Sequence, residues 1–207
     1  MTEISLTPRV IRLGGSLLDL PNVVPRLLRW SAQQAIAGGA IVVGGGAAVD
    51  RLRERHEALE LDNSTAHWMC VAAMAVNARR IATVLGVPLT GIAPIDNEAF
   101  VDGLCVLDPW RVLWEEEPRL VAERLPESWD VTSDSIAARV AELLGIEELA
   151  LLKSRLPEPG WTLADAVEAG YVDRFFPWAA RRLRVRCVDL RSETFAEAVL
   201  NAVPAPS

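Results

Sequence analysis

The sequence predicts an α/β protein, a three-layer α/β/α sandwich around a mainly parallel sheet. Three observations carry this. Short β-rich or wholly apolar runs alternate with helical patterns along the chain. Two of those runs, Arg9 to Leu13 and Ala40 to Val43, break off into glycines that open helices. No internal repeat, linker or low-complexity block interrupts the 207 residues, so one domain over 1–200 with a tail at 201–207 is expected.

Each element has a local reason. Val24, Leu27, Leu28, Ser31 and Ala35 repeat at helical spacing, and Pro25 suits the first turn. Gly38-Gly39 stops that helix. A helix from about Ala47 to Leu59 carries Arg51, Arg53 and Arg55 on its wet side. Asn63 or Ser64 caps the next, which runs to about Leu85 before Gly86 and Pro88. In the middle, Leu104 to Leu107 reads as a strand and Pro118 to Leu125 as a short helix. Asp134 to Leu144 is a helix with Ile136 and Val140 inward. Glu148 to Leu152 is a buried strand that ends at Lys153-Ser154. Thr162 caps a helix that ends near Gly170, Asp173 to Arg182 reads as a second, and Arg184 to Leu190 as a last strand. Ser192 caps a final short helix.

Composition narrows the function. The net charge is −7, which argues against a general binder of nucleic acid or anionic membranes and leaves room for one local basic site. The longest uncharged stretch, Ser31 to Val49, holds too many glycines and glutamines for a membrane helix. No signal pattern opens the chain, and Cys70, Cys105 and Cys187 form no CxxC pair, so they read as buried thiols in a reducing cytoplasm. No metal cluster is expected. The tryptophans mark no stacking strip, His56 reads as exposed, and Glu115-Glu116-Glu117 as a solvated face. Of the 21 basic residues only Lys153 is a lysine.

Four elements carry chemistry. Gly14-Gly15-Ser16 and Gly44-Gly45-Gly46 are strand-to-helix turns, where bare backbone and unpaired N–H groups suit phosphates. Neither matches GxGxxG or a P-loop. Trp129-Asp130-Val131-Thr132-Ser133-Asp134-Ser135 crowds carboxylates and hydroxyls at a helix start, more than a cap requires. Lys153 stands at the end of a buried strand, which suits either a snorkelling lysine or a phosphate neutraliser.

The order of these elements resembles the amino acid kinase family over roughly the first 155 residues. The motifs are Val10-Ile11-Arg12-Leu13-Gly14-Gly15-Ser16, Val43-Gly44-Gly45-Gly46, Ser133-Asp134-Ser135-Ile136-Ala137-Ala138 and the strand Leu149 to Leu152. Within the family, Asp62 to Met69 and Trp129 to Ser135 are similar to a short branch that phosphorylates an aminomethylfuran methyl phosphate in methanofuran biosynthesis. Arg12 stands where the family has Lys, Lys153-Ser154 where it has Thr-Asp, and the later Gly-Gly-Met…Lys segment is missing. The exchange of Lys for Arg is not neutral at a phosphoryl site.

The resemblance implies an ATP-dependent kinase acting on a phosphate or carboxylate acceptor, with Mg2+ on the nucleotide. Gly14, Gly15 and Ser16 would hold ATP phosphates, with Lys153 and Ser154 nearby. Gly44, Gly45, Gly46, His67, Asp130, Thr132 and Ser133 would hold the acceptor. Arg12 and Lys153 would stabilise the transferring group, and Asp134 would orient both. A half-buried structural histidine is the competing reading of His67. A homodimer is implied, with Trp68, Val71 and Met74 on one helix as a candidate surface. A non-catalytic nucleotide- or metabolite-binding protein on the same fold, or a partner-binding subunit with an emptied site, are the alternatives.

Overall fold

The computed structural model describes residues 9–34, 38–92, 103–121 and 123–200. Ala35 of the first helical pattern and the 201–207 tail lie outside them. Among the described residues seven strands form one sheet: β1 (Arg9–Leu13), β2 (Gly39–Val43), β3 (Leu89–Thr90), β4 (Leu104–Leu107), β5 (Glu148–Lys153), β6 (Arg184–Asp189) and β7 (Glu197–Leu200). Their order is β3-β4-β2-β1-β5-β6-β7, and every neighbouring pair is parallel except β6–β7. The expected mainly parallel α/β sandwich is what the chain builds.

The central strands are buried on both faces, which is why they read as apolar runs rather than alternations. Their side chains feed two core layers. Val10, Ala40, Val42, Leu149 and Leu151 meet α5 (Ser133–Leu143), α6 (Leu163–Glu168) and α7 (Phe176–Ala179). Ile11, Leu13, Ile41, Val43 and Leu152 meet α1 (Val23–Gln33), whose Trp30 is fully buried. The long α3 (Asn63–Leu85) contributes Val71 and Met74 to the first layer and Ala78 and Ile81 to the second. By length and composition α3 could cross a membrane. In this fold it packs on β2 and β4, and its Asn77 amide donates to the Gly44 and Gly45 carbonyls.

Several elements differ from expectation for identifiable reasons. α2 (Ala47–Arg55) stops short of Leu59. The cap of α3 is Asp62, whose carboxylate accepts from Thr65 N at 2.8 Å, rather than Asn63 or Ser64. The second helix after Gly170 is only the four residues of α7, because β6 must begin at Arg184 beside Glu148. Ser192 opens no helix. Its N–H and that of Arg191 donate to Asp189, forming a turn that reverses the chain into antiparallel β7. The helix expected from Pro118 is α4 (Glu117–Leu120), preceded by a π-helical turn over Arg111–Glu116.

Glu115-Glu116-Glu117 is not a solvated face. Glu116 and Glu117 are buried, Glu116 accepting from Ile92 N and pairing with Arg111 at 3.1 Å. The tryptophans do cluster: Trp68 meets Trp110 and Trp114 edge-on at 5.3 and 5.0 Å. Val71 and Met74 face the core, so the apolar side chains that α3 leaves exposed are Met69, Val76 and Val84. His56 is half-buried with its ring 5.3 Å from that of Trp129. Cys187 is buried, and Cys70 and Cys105 are half-buried.

Candidate active site

Parallel neighbours place their carboxyl ends along one edge of the sheet. Leu13, Val43 and Leu152 are in register there, so the Gly14 turn, the Gly44 turn and Lys153 emerge together. The N-terminus of α5 arrives at the same edge. These elements border a cleft of about 630 Å³.

At its centre Asp134 lies between two cations. One carboxylate oxygen is 2.9 Å from Arg12 Nε, and the other accepts from Lys153 Nζ at 2.9 Å. Ser133 Oγ accepts from Arg12 Nε and Nη2 at 3.1 and 2.8 Å. Lys153 also donates to the Tyr171 carbonyl and lies 4.7 Å from the centre of the Tyr171 ring. Asp134 is 4% exposed and Arg12 9%, so these charges stand in a poor solvent for ions. Burial pushes the Asp134 carboxyl up, but Arg12 and Lys153 outweigh it and hold it below the usual range. Burial draws the Lys153 ammonium down, with Asp134 opposing.

The glycines have a second reason to be bare. A Cβ on Gly15 would stand 2.4 Å from Gly46 N, and one on Gly44 would stand 2.6 Å from Gly15 N. The two turns therefore touch main chain to main chain. Gly46 also has φ 58°, a left-handed value that glycine adopts without strain. It caps α2 without a side chain, and with Val49 and Asp50 of that helix it borders the cleft. Gly14 and Gly44 depart from expectation: their N–H groups donate to Leu152 and Leu13 carbonyls, extending the sheet. Gly15, Ser16, Gly45 and Gly46 line the cleft instead.

The other expected residues divide by task. Ser133 seats Arg12. The Thr132 hydroxyl caps α5 and donates to Asp173 at 2.8 Å. Asp130 and Ser154 stand in the cleft wall, Asp130 3.9 Å from Arg174. His67 is buried 3.3 Å from the Ser128 carbonyl, and burial lowers its proton affinity, so it is neutral at pH 7.

Sequence reading missed Asp173. Its carboxylate accepts from Thr132 N, Ser135 N and both hydroxyls, binding the 170s loop to the N-terminus of α5. Burial, and then Asp134, push its carboxyl up. Its sequence neighbourhood suggests only a local cap, since the partners lie about 40 residues away. The described residues contain no cluster of three metal-ligating side chains.

Known proteins were compared with this arrangement. No family model matches the chain. The (5-(aminomethyl)furan-3-yl)methyl phosphate kinase of Methanocaldococcus jannaschii is 23% identical over 143 residues, 69% of this chain and 63% of that protein. The match thus spans less than two thirds of that relative. The UMP kinase of Ureaplasma parvum superposes with TM-score 0.60 at 12% identity, over 90% of this chain and 91% of the other. That of Bacillus anthracis gives 0.59 at 12% identity, over 94% and 99%. The chain has the amino acid kinase fold. The uridylate kinase of Archaeoglobus fulgidus gives 0.54 at 16% identity, over 94% and 91%. The resemblance read from the strand-end glycines, the Asp134 helix and Lys153 therefore extends to the whole described fold.

Proposed function

We propose that the protein is an ATP-dependent phosphotransferase whose acceptor is a small molecule bearing a phosphate or carboxylate. The observation that carries this is the Arg12–Asp134–Lys153 centre beside two bare glycine turns. The sequence relative and the structural neighbours are kinases, which supports the reading. An aminomethylfuran methyl phosphate is the first acceptor to try, because the M. jannaschii relative carries that substrate in its name.

Phosphoryl transfer asks for alignment and charge neutralisation more than covalent help. Gly15, Ser16 and the start of α2 would hold phosphate oxygens through main-chain N–H groups. Arg12 and Lys153, aimed by Asp134, stabilise charge that builds on the transferring group. The acceptor oxygen bonds to the γ-phosphorus as the bond to the bridging oxygen breaks and ADP leaves. No general base is needed for an acceptor already ionised. Asp134 is locked between cations, and Asp173 is occupied by five donors, so neither carboxylate faces the acceptor as a free base. A Mg2+ bound with the nucleotide would supply charge neutralisation at the phosphate oxygens. It needs few protein ligands, and Asp50 and Asp130 are the cleft-wall carboxylates that would meet it.

We place the enzyme in the cytoplasm as a homodimer joined through the exposed apolar side of α3, which sedimentation would check. Coupled ADP release with Mg-ATP tests the activity. The acceptors are aminomethylfuran methyl phosphate, uridylate, isopentenyl phosphate, aspartate and acetylglutamate. Turnover on one of them is expected. Absence of turnover with ATP still raising Tm would sink the kinase reading in favour of a nucleotide-binding protein on this fold, as Arg12 and the missing C-terminal motif would suggest.

A further inference from the structure

Asp173 does more than a helix cap requires. A helix N-terminus is served by one side-chain oxygen, and α5 already has the Thr132 hydroxyl, 3.3 Å from Asp134 N. Asp173 brings a second acceptor group to the same turn from the loop between α6 and α7. One of its oxygens accepts from Thr132 N, Thr132 Oγ1 and Ser135 N at 3.0, 2.8 and 3.1 Å. The other accepts from Ser135 Oγ at 2.5 Å and from Phe175 N at 3.1 Å. Five donors occupy both oxygens of the carboxylate, and no neutral side chain offers as many acceptor sites. The choice works against itself electrically, because burial and then the charge of Asp134 oppose ionisation of Asp173. Asn or Ser would cap a helix as well without that repulsion.

What Asp173 grips accounts for the choice. Thr132 and Ser135 stand on either side of Ser133 and Asp134, the two residues that seat Arg12 and Lys153. Two residues before Asp173, the Tyr171 carbonyl accepts from Lys153 Nζ, and the centre of the Tyr171 ring is 4.7 Å from that nitrogen. An ammonium has three N–H groups. Asp134 and the Tyr171 carbonyl take two, and together they set the direction of the third. These two acceptors belong to different elements, α5 and the 170s loop, and Asp173 is the joint between them. The N–H groups of Tyr171 and Val172 donate to the Ala166 carbonyl at 2.8 and 3.2 Å, which ties the loop to α6 and not to α5.

We propose that Asp173 is a positioning residue for the transfer step: it clasps the 170s loop to the start of α5 and so holds Lys153 in the direction that meets the transferring phosphoryl group. Asp173 acts through Ser133, Asp134 and the Tyr171 carbonyl and need not touch either substrate. This role rests on the kinase reading above. It links Asp173 to turnover more than to nucleotide affinity, because the Gly15 turn is braced by the Gly44 turn and not by the 170s loop.

Lys153 is the only lysine of the chain, so its reactivity can be read without interference from others. Acetylation by N-hydroxysuccinimidyl acetate at fixed pH would be followed by peptide mass mapping, which separates Lys153 from the terminal amine. ADP release, giving kcat and KM for Mg-ATP, and Tm would be measured beside it. Asp173→Ala should speed Lys153 acetylation about fivefold and lower kcat about 10–10²-fold, with KM for Mg-ATP within about twofold. Asp173→Asn keeps one acceptor oxygen and should recover part of both losses. Ser135→Ala removes a single donor and should change each readout about two- to threefold, so the test holds even where Asp173→Ala fails to fold. Glu117→Gln lowers Tm from elsewhere on α5 and should move neither acetylation nor kcat. The proposal is overturned if Asp173→Ala and Ser135→Ala acetylate at the wild-type rate, if their kcat is unchanged, or if Glu117→Gln exposes Lys153 as much. A wild type that releases no ADP on any acceptor, with Lys153 still unmasked by Asp173→Ala, would defeat the kinase reading and leave the clasp standing.

Discussion

Helix α5 carries two buried ionic centres, and they are built as opposites. At its N-terminus Asp134 is a single acid between two cations, Arg12 and Lys153, at the edge of an open cleft. Five residues later Arg139 is a single cation among acids. It pairs with Glu117 at 3.0 Å and Glu142 at 2.5 Å, donates to the Glu123 carbonyl, and lies 4.9 Å from the centre of the Trp178 ring. Arg139 and Glu117 side chains are each 3% exposed. The second centre is closed over Arg139 and Glu117, and at its rim Arg181 meets Glu142 at 3.4 Å, so two cations balance two acids; it is a structural rivet. The first carries a surplus positive charge facing open space, which is what an anionic ligand would complete. Burial alone does not mark a site; the sign of the surplus and the side that stays open do.

The comparison can be broken most sharply at Asp134. Asp134→Asn should leave two buried cations uncompensated, costing about 3–5 kcal/mol in urea unfolding and removing ADP release. Lys153→Ala separates the roles better. It should lower turnover about 10²–10³-fold while the fold survives, as circular dichroism would show. At the other centre, Glu117→Gln should cost about 3 kcal/mol and leave turnover within about twofold, because Glu117 does not border the cleft. Equal losses of activity in Lys153→Ala and Glu117→Gln would erase the distinction.

Acidity should pull the two centres apart. The folded Asp134 carboxyl lies below its ordinary 3.8, so its stabilisation is complete above that pH and is lost as pH falls through the folded value. Burial raises the Glu117 carboxyl above its ordinary 4.5, against the pull of Leu125 N–H and Arg139. There the folded state binds the extra proton, so stability declines as pH rises from 4.5 through the folded value. Urea midpoints measured from pH 3 to 7 should therefore lose opposite slopes in Asp134→Asn and Glu117→Gln. The smallest effect belongs to Glu142→Ala. Glu142 is 31% exposed, and its loss should cost about 0.5 kcal/mol or less.

The sequence announces the first centre and hides the second. Arg12, Asp134 and Lys153 each end or begin an element with a clear pattern, so parallel topology alone brings them to one edge. Glu117 and Arg139 sit in an acidic run and on a helix side, where charge ordinarily means solvent. Only the fold of the 111–125 segment over α5 buries them. The C-terminal fifth was less legible for a related reason. Asp173 and Asp189 look like local caps, yet Asp173 ties down a distant helix and Asp189 makes the turn into an edge strand. Capping residues reveal that an N–H will be satisfied without revealing whose.

The seam between the two glycine turns has a consequence for how such a protein can change. Its cleft floor is main chain pressed on main chain, and Asn77 pins that floor to α3 through two carbonyls. A floor without side chains has no rotamers to shift and offers mutation nothing to vary. A descendant that takes a new acceptor must be rewritten at its walls, around Arg53, His67, Trp129 and Tyr171, while the floor is inherited unaltered.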